Sequence, residues 1–178
     1  MAPEPQRNTR PPLDREALER LALNYAGRYA TTRAKLEAYL RRKLRERGWS
    51  QAGQAPVAAL VARLAELGYV DDRAFASAKA ASLLRRGYGE RRVGAALHAA
   101  GITEEDAAPV RDEAAAEAFA AALRFAERRR LGPFAEAPLP PERREKALAA
   151  MLRAGHRLDL ARRILAARPG EVPEPDSF

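Results

Sequence analysis

The residues that could do chemistry are few in this 178-residue chain. There is no cysteine, so disulfides and thiolate metal sites are excluded. The two histidines, His98 and His156, lie far apart in sequence, and neither sits in a carboxylate or second-histidine spacing that would hold a metal or move a proton. Asp71-Asp72 could be read as a metal or acid/base pair, but adjacent carboxylates ahead of a helix are explained by capping. Ser50, Ser77, Ser82 and Ser177 have no nucleophile-elbow or lysine-dyad context. Gly87-Tyr88-Gly89 lacks the remaining glycines and the Gly-Lys-Ser/Thr ending of a phosphate loop. The sequence offers no catalytic residues, no cofactor site and no metal site.

What remains is charge. Arg41-Arg42-Lys43 with Arg45 is the densest basic group, and Arg85-Arg86 with Arg91-Arg92 is the next. Guanidinium groups at such density suit phosphates or carboxylates, while the bland alternative is a solvated helix face. Arg128-Arg129-Arg130 is read as complementing the negative end of a long helix. The net charge of +8 is uneven: residues 1–70 carry +6, residues 71–102 carry +3, and residues 103–178 carry −1. The basic excess thus points to the first two-thirds of the chain as the side facing a polyanion or an acidic protein. Tyr69 and Tyr88, beside turn glycines, are read as packing anchors, and Phe75 as core.

The elements that position these groups are helical. Aromatics make up only 6% of the chain, alanine dominates the apolar fraction, and no alternating run of strand formers reaches four residues. Residues 1–13 read as a proline-rich disordered tail, and Asp14 as the cap of a first helix to about Tyr29. Thr31 or Thr32 caps a second helix to Arg47, with Leu36, Leu40 and Leu44 on one stripe. Val57, Leu60, Val61 and Leu64 define a third, stopped at Gly68. Asp71 opens a helix to about Arg86, with Asp72 adding negative charge to its first turn. Glu90 opens another to Ala100, and Thr103 a further one. A long alanine-rich helix is expected over 113–130, broken by Gly132-Pro133, then two more over 141–154 and 158–167. Gly48, Gly101 and Gly155, each four residues after a Leu or Met, recur at nearly equal intervals. The parse is all-α: three three-helix repeats at 14–70, 71–112 and 113–168, with a second tail over 169–178. Such units, each burying its stripe against a neighbour, would form an elongated array.

The stretch Gly68-Tyr69-Val70-Asp71-Asp72-x-x-Phe75-Ala76, followed by Arg85-x-Gly87-x-x-x-Arg91 and Arg92-Val93, resembles the central repeat of the RecX family. The likeness extends over roughly 17–167 and includes Arg153-Ala-Gly-His-Arg-Leu-Asp-Leu, where His156 replaces the family's usual aromatic. The resemblance implies tandem three-helix repeats in an elongated, curved array. It also implies a non-enzymatic regulator that binds the filament of a RecA-type recombinase and inhibits its ATPase and strand exchange. Arg41, Arg42, Lys43, Arg45, Arg85, Arg86, Arg91 and Arg92 are then candidate contacts to that filament and to DNA phosphates within it. The expected molecule is a cytoplasmic monomer; no apolar segment approaches membrane-spanning length. The alternatives are a stand-alone nucleic-acid-binding protein and a solenoid-type protein–protein adaptor.

Overall fold

The computed structural model describes residues 11–175, and every regular element among them is a helix. In order these are α1 (Arg15–Arg28), α2 (Arg33–Arg47), α3 (Val57–Glu66), α4 (Asp72–Arg85), α5 (Glu90–Ala99), α6 (Glu104–Ala116), α7 (Ala118–Arg129), a 3₁₀ turn (Gly132–Phe134), α8 (Pro141–Arg153) and α9 (Leu158–Ala166). The fold is all-α and built of tandem three-helix repeats. The chain divides into two compact units, with the boundary after Asp72.

In the first unit the caps fall where side-chain chemistry puts them. Asp14 accepts from Ala17 N at 2.8 Å and Thr32 from Lys35 N at 3.2 Å, each satisfying an N–H that its helix leaves free. Leu18, Ala22, Leu36, Leu40, Val57, Leu60, Val61, Leu64 and Val70 form one apolar cluster. Each fully buried leucine contributes about 1.5–3 kcal/mol. The expected tail over 1–13 is wrong at its end: Leu13 is 0% exposed and belongs to this core. Its N–H donates to Gly48 O at 3.0 Å, and its carbonyl accepts from Ser50 N at 2.9 Å. A single apolar residue after two prolines gives no periodic signal, which is why it reads as tail. Residues 1–10 of that segment lie outside the described residues.

Asp72 does stand in the first turn of α4, and it does more than add charge there. It is 5% exposed, and its carboxylate accepts from Arg33 N at 2.8 Å and Arg33 Nε at 3.1 Å. A free N–H at the start of α2 is thus satisfied by a residue 39 positions away. Gly68 does close α3 in the left-handed region, with φ +77°. Gly68 N donates to Ala65 O and Tyr69 N to Leu64 O, the paired bonds of a Schellman stop.

The second unit holds two apolar clusters. One gathers Ala76, Ala80, Leu83, Leu84, Val93, Leu97 and Val110; the other gathers Ala122, Phe125, Ala126, Met151, Ile164 and Leu165; Tyr88 packs against both. Buried alanines on α4, α6 and α7 let the helices approach closely. The single helix expected over 113–130 is instead two. Residues 113–116 finish α6, and the chain turns at Glu117 before α7. Nothing in the alanine run marks that break. Arg124 engages Glu117 at 3.3 Å and donates through Nε to Leu84 O at 3.1 Å. The end of α7 at Arg129 falls within one residue of the expected Arg130. Arg130 itself takes the left-handed conformation, φ 52°, and makes the stop ahead of Gly132-Pro133. Of the expected tail over 169–178, the start is tied down: Gly170 N donates to Pro133 O at 2.8 Å. Residues 176–178 lie outside the described ones.

Candidate functional site

The two basic groups differ in kind. On α2, Arg41 pairs with Glu37 at 2.6 Å, Lys43 with Glu46 at 2.6 Å, and Arg42 lies 3.7 Å from Glu46. These are same-helix pairs at three- and four-residue spacing, so most of this charge is answered within the helix. Arg45 is exposed and has no acidic partner among the described residues.

In the second unit, Arg85, Arg86, Arg91 and Arg92 are exposed and form no ion pair among the described residues. Two of them lean on one ring: the Arg86 guanidinium carbon lies 5.4 Å, and that of Arg92 5.9 Å, from the Tyr88 centroid. α7 brings a further pair to the same place. Arg129 lies 4.9 Å from the Phe125 centroid, and Arg86, Tyr88, Phe125, Arg128 and Arg129 line one cavity of about 300 Å³. Gly87 makes room for this, because a Cβ there would stand 2.8 Å from Arg128 Nη2. In the sequence, Arg128 and Arg129 show only as helix-end charge. Their convergence with Arg86 needs the packing of α7 on the α4–α5 turn, which no local pattern carries.

That turn is held by backbone. Gly89 N donates to Ala154 O at 2.9 Å, and Arg91 N to Gly155 O at 3.2 Å. His156 is 1% exposed; its Nε2 meets Gly87 O at 3.1 Å and its ring packs edge-on to Phe125. A carbonyl only accepts, so Nε2 carries the proton and Nδ1 is bare, buried and without a partner. Burial holds the His156 pKa below its ordinary 6.5, opposed by the bond to Gly87. His98 is exposed on α5, far from any such role. Among the described residues no three His, Asp or Glu side chains gather as a metal site would require. Tyr69 is not the anchor expected of it: it is 56% exposed, as Leu67 is 60% and Tyr29 52%. No described helix is long and apolar enough to cross a membrane.

By class this is an all-α helical-repeat protein that gathers arginines around aromatic rings, with no acidic partner for Arg86, Arg92 or Arg129 among the described residues. Comparison with known proteins gives the family. The family model described as RecX, second three-helix domain, matches residues 71–109. The chain is 34% identical over 160 residues to the regulatory protein RecX of Myxococcus xanthus, covering 85% of this chain and 86% of that one. It is 41% identical over 103 residues to the regulatory protein RecX of Thermus thermophilus, covering 58% and 69%. The crystal structure of RecX from Lactobacillus salivarius superposes with a TM-score of 0.61 at 17% identity, covering 84% of this chain and 93% of that one. The chain belongs to the RecX family of regulatory proteins.

Proposed function

We propose that this protein binds the filament of a RecA-type recombinase and inhibits its ATP hydrolysis and strand exchange, acting in the cytoplasm as a monomer without chemistry of its own. Family membership supports the partner, and the arginines left unpaired around Tyr88 support the manner. Repeated helical units offer several weak contacts along a repeating surface, and these add through effective concentration. A protein that binds one subunit arrangement better than another shifts the filament toward it, which alters ATP turnover without catalysis by the bound protein. The candidate contacts are Arg85, Arg86, Arg91 and Arg92 on the second unit, with Arg41, Arg42, Lys43 and Arg45 on the first. The test is DNA-stimulated ATP hydrolysis by the host recombinase as this protein is titrated in. A saturable fall in rate is expected, and an unchanged rate at full DNA saturation refutes the reading. The unpaired arginines also favour a second reading, stand-alone nucleic-acid binding. In that case binding falls steeply with salt and needs no recombinase.

A further inference from the structure

The cavity between the α4–α5 turn and the end of α7 has features that a solvated basic face lacks. Three arginines, Arg86, Arg128 and Arg129, line it, and none has an acidic partner among the described residues. Some basic side chains of this chain meet carboxylates, as Arg111 does with Glu104, Arg124 with Glu117 and Arg157 with Asp159, and others such as Arg85 and Arg91 do not. What distinguishes Arg86, Arg128 and Arg129 is that they converge on one cavity. Two helix ends lie here, and their partial negative charges, about half a unit each, answer only part of three positive charges. Two of the guanidiniums also lie over aromatic rings, the Arg86 carbon 5.4 Å from the Tyr88 centroid and that of Arg129 4.9 Å from the Phe125 centroid, within cation–π range. The N–H edge of a guanidinium over a ring stays free to bind an oxyanion by two parallel hydrogen bonds. Arg129 also borders a second, open cavity of about 860 Å³, whose wall includes Arg143 and Lys146 together with Glu136, whose carboxylate is paired with Arg130 at 3.2 Å. Neither Arg143 nor Lys146 has an acidic partner among the described residues.

We propose that the pocket formed by Arg86, Tyr88, Phe125, Arg128 and Arg129 holds a backbone phosphate of a nucleic-acid strand, which continues past Arg129 toward Arg143 and Lys146. Three cations in one pocket exceed what a single protein carboxylate neutralises. Their continuation into a second basic cavity matches a ligand that carries anions in series. This phosphate site follows from the pocket alone and does not depend on the recombinase reading. It also places a phosphate contact on the third region of the chain, whose net charge of −1 argued against one.

The test is fluorescence anisotropy of the full chain with a dye-labelled oligothymidylate over a range of salt, without recombinase. Arg86→Ala with Arg128→Ala is expected to weaken binding about 10-fold or more at low salt. The slope of log affinity against log salt is expected to shallow by roughly 0.7 for each phosphate no longer engaged. Arg153→Ala with Arg162→Ala removes equal charge from α8 and α9 and should weaken binding far less. Arg128 packs on Gly87, so a second variant, Arg86→Gln with Arg129→Gln, keeps the stems and removes only the charge. It should show the same loss with an unchanged melting curve. Equal losses in pocket and control variants overturn the proposal, as does failure of the parent to bind the oligonucleotide. Arg128-dependent binding of poly-glutamate with none of oligothymidylate would assign the pocket to an acidic protein instead.

Discussion

At His156 the ring fills an apolar position, yet it brings one polar atom too many. Nε2 is used by the Gly87 carbonyl, while Nδ1 is bare and orphaned. Protonating Nδ1 would bury a donor and a charge with no acceptor, so the native state holds the neutral ring and the pKa lies below 6.5. The unfolded chain titrates near 6.5 and therefore binds more protons than the native state just below that pH. Stability from this site is complete above pH 6.5 and is lost as pH falls from there toward the lowered native value. His156→Phe keeps a ring, removes the titration and leaves Gly87 O unpartnered. At pH 8 the variant should lose about 1–3 kcal/mol for the unpartnered carbonyl, offset in part by removal of the orphaned Nδ1. Between about pH 8 and pH 5 the parent should lose more stability than the variant, as measured by denaturant unfolding at both pH values. Parallel losses would show that His156 titrates normally. The substitution of the family's aromatic is visible in the sequence but its consequence is not, because the Gly87 carbonyl lies 69 residues away. Asp72 is opaque for the same reason. Its spacing is that of a helix-start charge, and only tertiary structure puts the Arg33 backbone against it.

At the scale of elements, the glycines at helix stops are legible in the sequence and the close approach between turns is not. A stop needs a glycine after an apolar stripe, which the sequence displays. The α4–α5 and α8–α9 turns pack backbone to backbone, and a sequence records that only as glycines like any others. Gly68 and Gly89 separate the two causes. Gly68 has φ +77° with nothing within 4 Å of where a Cβ would stand, so its constraint is conformational. Gly89 has an ordinary φ of −83°, but a Cβ there would lie 2.4 Å from both the carbonyl carbon and the oxygen of Gly155. Gly68→Ala should therefore cost about 1–2 kcal/mol through the left-handed conformation. Gly89→Ala should cost about 3 kcal/mol or more, because backbone cannot move aside as a side chain can. Judged by φ alone the order would be reversed, so equilibrium unfolding of the two variants decides between strain and space. The break at Glu117 belongs with what is illegible. An alanine run satisfies helix propensity at every position, and nothing local distinguishes Glu117, where the chain turns.

At the scale of the whole molecule, net charge by region is a coarse guide, since it counts carboxylates without asking which cations they already answer. The first 70 residues carry the largest excess, +6, yet Arg41, Arg42 and Lys43 face Glu37 and Glu46 along α2. The last 76 residues sum to −1, yet they supply Arg128 and Arg129 to the pocket beside Tyr88. A partner sees local potential, and exposed charges are screened within about 8–10 Å at ordinary salt. If the basic surface sets docking on the recombinase filament, the unpaired arginines should dominate. Arg86→Ala with Arg92→Ala should raise the concentration needed for half-inhibition of the recombinase ATPase several-fold more than Arg41→Ala with Arg42→Ala. Each variant removes two positive charges, but the second pair also frees Glu37 and weakens a same-helix interaction worth only about 0.2–0.5 kcal/mol. The gap between the variants should narrow as salt rises, because rim charges act mainly on association rate. Inhibition that falls equally in both, with melting curves matching the parent, would mean that net charge and not pairing governs docking. A larger loss from the α2 pair would move the contact surface to the first unit, where the sequence puts its densest charge.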